Sequence, residues 1–209
     1  MTRNILNVLF VSLIFSQLIF AQDPAKTSSS NLNQYYGGKF GFYNPSDGLN
    51  NGLLIGVDGI TEFKNYNFFL SGAVDLYYKK SIDIFENPKP FVNDQQIILL
   101  PIHINFGYKL LQVEDADTKI YAGVGGGYYL YFYSVTYQNS SGGIFPNITP
   151  QSDQINGGNI FFSIFTRFLI GKIFVEPRYY LASSEEKSTG GNIFKVNPTG
   201  FAITLGFQY

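Results

Sequence analysis

The closing stretch, Phe201 to Tyr209, alternates without a slip. Phe201, Ile203, Leu205, Phe207 and Tyr209 fall on one side of an extended chain, and Ala202, Thr204, Gly206 and Gln208 on the other, because successive strand side chains point to opposite faces. One face is greasy and the other small and polar. Two surroundings satisfy such a strand. In a soluble sandwich the greasy face looks into a core; in a transmembrane barrel it meets lipid while the polar face lines the lumen. A sequence that ends on an aromatic residue fits the barrel better, and the choice rests on whether the rest of the chain repeats the pattern.

It does. Segments of about ten residues with period-two alternation, rich in Tyr, Phe, Ile and Val and bounded by Gly, Asn, Asp and Pro, recur about eight times. The expected strands are Tyr36 to Tyr43, Gly52 to Thr61, Asn67 to Lys79, Gln96 to Leu110, Lys119 to Tyr133, Asn159 to Ile170, Ile173 to Ala182, and a last one from near Asn197. The third is the clearest: Phe68, Leu70, Val74, Leu76 and Tyr78 oppose Ser71, Ala73, Asp75 and Tyr77. No run after residue 34 approaches the roughly 20 apolar residues a helix needs to cross a bilayer. The predicted fold is all-β, an eight-stranded antiparallel up-and-down transmembrane barrel over residues 35–209.

The connections carry a separate signal. The odd joins, Asn44 to Asn51, Lys80 to Gln95, Ser134 to Gly158 and Ser183 to Val196, are as long as or longer than the even ones, Glu62 to Tyr66, Leu111 to Thr118 and Gly171-Lys172. Membrane barrels alternate long outer loops with short periplasmic turns. The join after the fifth strand, rich in Ser, Asn, Gly and Pro, reads as a surface loop. With an even strand count both ends of the barrel fall on the periplasmic side.

Composition agrees. Charged residues make up 14% and aromatics 18%, while the mean hydropathy is only +0.02, as expected where an apolar outside encloses a wet or polar inside. A net charge of -1 gives no electrostatic footprint for nucleic acid. The absence of cysteine excludes disulfides, thiolate metal sites and cysteine nucleophiles. At the amino end, Arg3, the mostly apolar Ile5 to Phe20 and the small Ala21 read as a secretory signal peptide over residues 1–21. Residues 22–34, rich in Ser, Asn and Gln, read as a flexible periplasmic lead-in.

Two segments carry a family resemblance. Leu99-Leu100-Pro101-Ile102-His103-Ile104-Asn105-Phe106-Gly107-Tyr108 and Phe174-Val175-Glu176-Pro177-Arg178-Tyr179-Tyr180 resemble strands of the small outer-membrane β-barrel proteins, of the OmpX and OmpW types and the PorT-like barrel domain. The resemblance implies a bacterial outer-membrane location, membrane lipid and the barrel assembly machinery as partners, and Phe201, Ile203, Leu205, Phe207 and Tyr209 as the assembly signal. Such signals usually carry a glycine five places before the last aromatic; Thr204 stands there, and the glycine is Gly206. Pro101 and Pro177 fall inside expected strands, where proline removes a ladder donor, so a bulge is expected at each.

Asp58, Asp75, His103, Lys109, Arg167, Glu176 and Arg178 all point to the inner face on this reading. They form either a structural lumen network that plugs the barrel, since eight strands leave an interior that side chains just fill, or the lining of a narrow polar conduit for small solutes. His103 is the only histidine. Lipid A deacylases on barrels of this size place a serine two residues after the histidine; Asn105 occupies that place, so no catalytic residue is assigned. No cofactor or metal is expected, since one histidine without neighbouring carboxylates in its strand assembles no first shell. Gly123, Gly125, Gly126 and Gly127 precede no helix pattern and read as room for bulky neighbours rather than as a dinucleotide loop. Tyr35, Tyr36, Phe40, Phe42, Tyr78, Tyr108, Tyr133, Tyr179 and Tyr209 lie near strand ends and are expected in interfacial girdles. The function expected is non-enzymatic: a structural or interaction protein meeting an extracellular partner through its loops. A pore, a secretion accessory and a lipid-modifying enzyme are the alternatives.

Overall fold

Strands this amphipathic must bury their polar inner face and cannot leave sheet edges open in lipid, and both demands are met by closing the sheet. The computed structural model describes residues 31–46, 49–80, 92–113, 116–141, 147–189 and 192–209. The expected signal peptide, most of the lead-in and most of the join after the third strand lie outside them. Ten strands follow in order: β1 (Leu32–Pro45), β2 (Gly52–Phe63), β3 (Phe68–Lys80), β4 (Val92–Val113), β5 (Thr118–Ser141), β6 (Asn147–Ile170), β7 (Ile173–Ala182), β8 (Glu185–Thr189), β9 (Asn192–Val196) and β10 (Gly200–Gln208). Eight of them, all but β8 and β9, form one closed antiparallel barrel, with β1 pairing both β2 and β10. Reciprocal bonds of 3.0 Å between the backbones of Tyr36 and Tyr209 extend the seam to the last residue.

The alternation holds around the wall. Leu53, Ile55, Val57, Ile104, Phe106, Ile164 and Ile203 are exposed, while Asp58, Asp75, His103, Arg167 and Glu176 on the same barrel are buried. A water-soluble monomer rarely shows an apolar surface this continuous. The barrel is transmembrane, its outward face is the lipid face, and its place is the bacterial outer membrane, where spanning barrels of this build reside. At the short-turn end Phe68 stacks on Phe106 and meets Tyr108 edge-on, both at 5.3 Å, an arrangement suited to the bilayer interface. Two aromatics expected in the girdles face inward instead: Tyr133 is buried in the upper interior and Tyr35 packs on the lower interior cluster. Their position near a strand end was right for a girdle, but strand parity turns them inward.

Three further expectations need correction. Neither proline sits at a bulge. The β3–β4 ladder skips two pairs beside Pro101, yet Val74↔Ile102 and Tyr77↔Leu99 share one register, and the β6–β7 ladder does the same beside Pro177. The missing N–H costs a hydrogen bond without displacing the strand, so facing is preserved on both sides. The irregularities lie between Val92 and Asp94 and between Lys109 and Leu111.

Next, residues 134–158 are mostly not loop. β5 and β6 remain paired up to Ser141↔Asn147. Polar turn-forming residues do not prevent a ladder that starts from a fixed hairpin stem. Similarly, the join over 183–196 contains the β8–β9 hairpin. Finally, β1 starts at Leu32, because Leu32, Asn33 and Gln34 find partners in Phe63, Glu62 and Thr61.

Candidate functional site

The interior is built as three layers. Nearest the short turns, Ile60, Phe69, Tyr121, Phe165, Leu169 and Phe174 pack together. Nearest the long connections, Tyr43, Tyr77, Tyr129, Tyr131, Tyr133 and Tyr180 pack with Ile97, Leu99 and Phe161. Between them lies a charged layer. It contains Lys39, Arg167 and Arg178 against Asp58, Asp75 and Glu176, all buried, so with a neutral His103 the positive and negative charges are equal in number.

Glu176 is the hub. Its Oε2 accepts from Arg167 Nε (2.8 Å) and Nη2 (2.6 Å), and its Oε1 accepts from Arg178 Nε (3.0 Å). Lys39 Nζ stands 3.8 Å from the same Oε1 and 2.9 Å from Asp75 Oδ1. Arg167 also pairs with Asp58 and reaches Gln208 Oε1 at 3.4 Å. Arg178 Nη1 donates to Asn105 Oδ1 and Ser163 Oγ, each at 2.8 Å. Both guanidinium groups rest on the aromatic layer below, Arg167 4.0 Å from the Phe174 ring centre and Arg178 4.2 Å from that of Phe165. Buried charges persist only when paired and hydrogen-bonded; every charge of this layer is paired, and hydrogen bonds complete the set except at Asp75 Oδ1, which has the Lys39 ammonium beside it but no hydrogen bond.

His103 belongs to the same network. Its Nε2 lies 3.1 Å from Asp75 Oδ2, which also accepts from the Tyr180 hydroxyl at 3.0 Å, and its Nδ1 lies 3.0 Å from Asn105 Oδ1. A histidine oriented by a carboxylate is half of a nucleophile-activating arrangement. The nearby hydroxyls are engaged elsewhere: Ser163 accepts from Arg178, and Ser71 accepts from Asn105 Nδ2 at 3.0 Å. Among the described residues no three His, Cys, Asp or Glu side chains are grouped to hold a metal ion.

The structure thus brings together six of the residues singled out from sequence: Asp58, Asp75, His103, Arg167, Glu176 and Arg178. Lys109 is apart, at the bulge, where its Nζ donates to exposed Gln112 (2.6 Å). Phe201, Ile203, Leu205, Phe207 and Tyr209, expected from the resemblance to form an assembly signal, all point out of the barrel. Sequence reasoning missed Lys39, although its place on the inner face between outward Phe40 and Gly38 was readable from the alternation. It also missed the lower pair Glu62 and Lys119 (3.5 Å), to which the Tyr121 hydroxyl is joined through Glu62. Gly125 has a distinct part: a Cβ there would stand 2.3 Å from Asn105 Oδ1, 2.7 Å from Ser163 Oγ and 3.3 Å from Arg178 Nη1. Within the glycine run, Gly125 makes room for the charged layer and Gly123 for the Phe165 ring, rather than for Tyr121 and Tyr129.

Beyond the barrel wall, at the long-connection end, two hairpins stand out. β3 pairs with β4 only to Lys80↔Gln96, and β6 with β7 only to Phe161↔Ala182, whereas β5 and β6 continue together. Fourteen residues of β6, 147–160, therefore extend past the end of β7, about 45 Å measured along the strand. The β8–β9 hairpin closes over the mouth: Phe194 and Val196 are wholly buried, and Phe194 packs on Tyr133 with ring centres 5.2 Å apart. Leu49 does the same from the β1–β2 connection, its carbonyl accepting from the Tyr77 hydroxyl at 2.7 Å.

No protein-family model matches the chain, and no curated protein matches it in sequence. Solved structures resemble it in fold. The attachment invasion locus protein of Yersinia pestis is 10% identical with a TM-score of 0.46, over 86% of this chain and 99% of that one. Neisserial surface protein A is 9% identical with a TM-score of 0.45, over 86% and 100%. A major outer membrane protein from Thermus thermophilus is 11% identical with a TM-score of 0.46, over 85% and 100%. At such identities the likeness concerns the fold alone.

Proposed function

We propose that this barrel is a closed, non-conducting anchor that presents the β5–β6 hairpin outside the cell to an extended polypeptide partner, which it takes by strand addition. The observation that carries the reading is the side of β6 turned away from β5. Gly158 N–H and Ile160 C=O both face that side, the first meeting Glu185 and the second Ser183 N–H. Alternation along an unbroken ladder then turns the backbone groups of Asn156, Gln154 and Ser152 the same way, above the end of β7. Such an edge is a template for another strand. Pro150 occupies the next place of the same parity and has no N–H to offer, which bounds the acceptor stretch to Ser152 through Asn156.

The filled interior supports the anchor half of the reading. Charged and aromatic side chains in three successive layers leave the lumen to structure, and the long-connection end is the outer one in membrane barrels. No interior group is assigned catalysis, and the partner is extracellular.

The test uses peptides selected from a random display library on the refolded barrel. Gln154→Pro removes an edge N–H while sparing the bonds to β5. Peptides taken by strand addition lose binding to that variant and keep it to Gln154→Ala. Equal binding to wild type and Gln154→Pro would remove the edge from consideration.

A further inference from the structure

The chain carries its own strand beside that edge. β8 follows β7 and continues its direction, so it runs antiparallel to β6. Glu185 lies five positions beyond Tyr180, yet their partners Val196 and Gly200 lie only four positions apart. The β8–β9 hairpin is thus the β7–β10 hairpin continued, with one extra residue on the β7–β8 side. That residue shifts β8 out of the β6 ladder. The last rung is Ser183 N–H to Ile160 C=O at 3.4 Å, and above it Gly158 N–H is held at 3.1 Å by the side-chain carboxylate of Glu185 instead of a β8 carbonyl. Lys187 Nζ sits 2.9 Å from the other oxygen of Glu185. A crevice remains between the two strands, lined by Leu130, Phe132, Asn156, Gly157, Glu185 and Lys187 among others.

We propose that β8 is a built-in competitor for the β6 edge, latched beside it through Glu185 and poised to zip onto it. Carrying the β6–β7 ladder upward and allowing for the extra residue sets Ser188 opposite Asn156. Position 188 pairs with Ile193, which faces outward, and Asn156 is exposed on the outward side, so the backbone register of the two positions has the parity that strand partners require. In this register β8 covers Ile155 to Asn159. It thereby takes the amide of Asn156, the barrel-side end of the acceptor stretch, from an incoming strand and replaces the Glu185 contact at Gly158. The latch explains why a carboxylate sits where a ladder carbonyl belongs: it satisfies the Gly158 donor while leaving the edge available. This regulation rests on the strand-addition reading above.

The chain has no native cysteine, so introduced pairs report cleanly. Asn156→Cys with Ser188→Cys in the refolded barrel forms a disulfide under mild oxidation. It forms at a rate comparable to the reference pair Ser134→Cys with Gln154→Cys, whose positions are already opposite in the β5–β6 ladder, and faster than Asn156→Cys with Glu186→Cys. No 156–188 cross-link while the reference pair closes would overturn the zipped register. Cross-linking by itself leaves competition to be read from binding. Peptides selected on the wild type bind the oxidised 156–188 variant at least about tenfold more weakly and recover on reduction; unchanged binding would overturn competition. If no selected peptide responds to Gln154→Pro, the strand-addition reading fails, while the cross-link still decides separately whether β8 reaches β6.

Discussion

At the residue scale, the charged layer has no spare space and no spare charge. Gly125 faces into it, whereas its neighbour Gly126 faces lipid, where an added Cβ would meet nothing nearer than 3.6 Å. Gly125→Ala is expected to lower unfolding stability by about 1–3 kcal/mol through overpacking, and Gly126→Ala to leave it nearly unchanged. Urea unfolding of the refolded barrel, followed by circular dichroism, separates the two; equal effects would mean that the network yields around Gly125. Charge removal is more severe. Arg167→Met strands Asp58 and leaves Glu176 with Arg178 and Lys39, and loss of one partner from a buried pair costs about 3–5 kcal/mol. Adding Glu176→Gln to Arg167→Met is expected to cost less than the sum of the two single changes, because the first leaves the layer with one negative charge in excess and the second restores the balance. Strict additivity in the same unfolding series would show that the two side chains do not act as one unit.

At the element scale, the turns and the ladders place different demands on sequence. Gly171 closes the β6–β7 hairpin at φ +59°, in the left-handed region, and its N–H donates to Asp117 C=O at 2.9 Å. Gly171→Ala should therefore destabilise by about 1 kcal/mol or more, because alanine is strained there, and Gly171→Asn by less; matching unfolding midpoints for all three would argue against backbone strain. This hairpin was legible in the sequence, as were the strand faces, because period two survives one-sided burial in lipid as well as in water. The outer extensions of β5 and β6 were not. Ser140, Ser141, Asn147 and Pro150 are residues that close turns, and here they ride on a ladder whose register was already set below. The inner charges were legible by parity as far as parity was followed. Lys39 lay within the expected first strand and Glu62 one place past the expected second, and their partners are on strands distant in sequence, as Lys39 with Asp75 and Glu176 shows. Pairings across a barrel follow from strand order and stagger, neither of which is written locally.

At the scale of the whole molecule, permeation depends on all three interior layers, since they lie in series along one axis. The refolded barrel in a planar bilayer is expected to be electrically silent, with insertion shown independently by its shifted mobility on an unboiled gel. The same holds for Tyr133→Ala combined with Phe194→Ala. That variant thins the outer aromatic layer and the β8–β9 cap, but the pairs of Glu176 with Arg167 and Arg178 and the rings of Phe165 and Phe174 below them stay in place. An ion crossing the barrel would have to displace a partner from a buried, hydrogen-bonded charge pair, and the low-dielectric surroundings that make such pairs costly to break make that barrier high. Discrete, reproducible steps from the wild type, with a selectivity that shifts in Asp75→Asn, would show that the charged layer is a conduit and would displace the anchor reading. Silence from the wild type with steps from the Tyr133→Ala and Phe194→Ala variant would place the whole barrier in the cap, and the charged layer would then have to be regarded as permeable. Silence from both puts the barrier at the charged layer or the aromatic layer below it, consistent with a barrel whose interior serves its own stability and whose contacts with the surroundings are made by the hairpins above it.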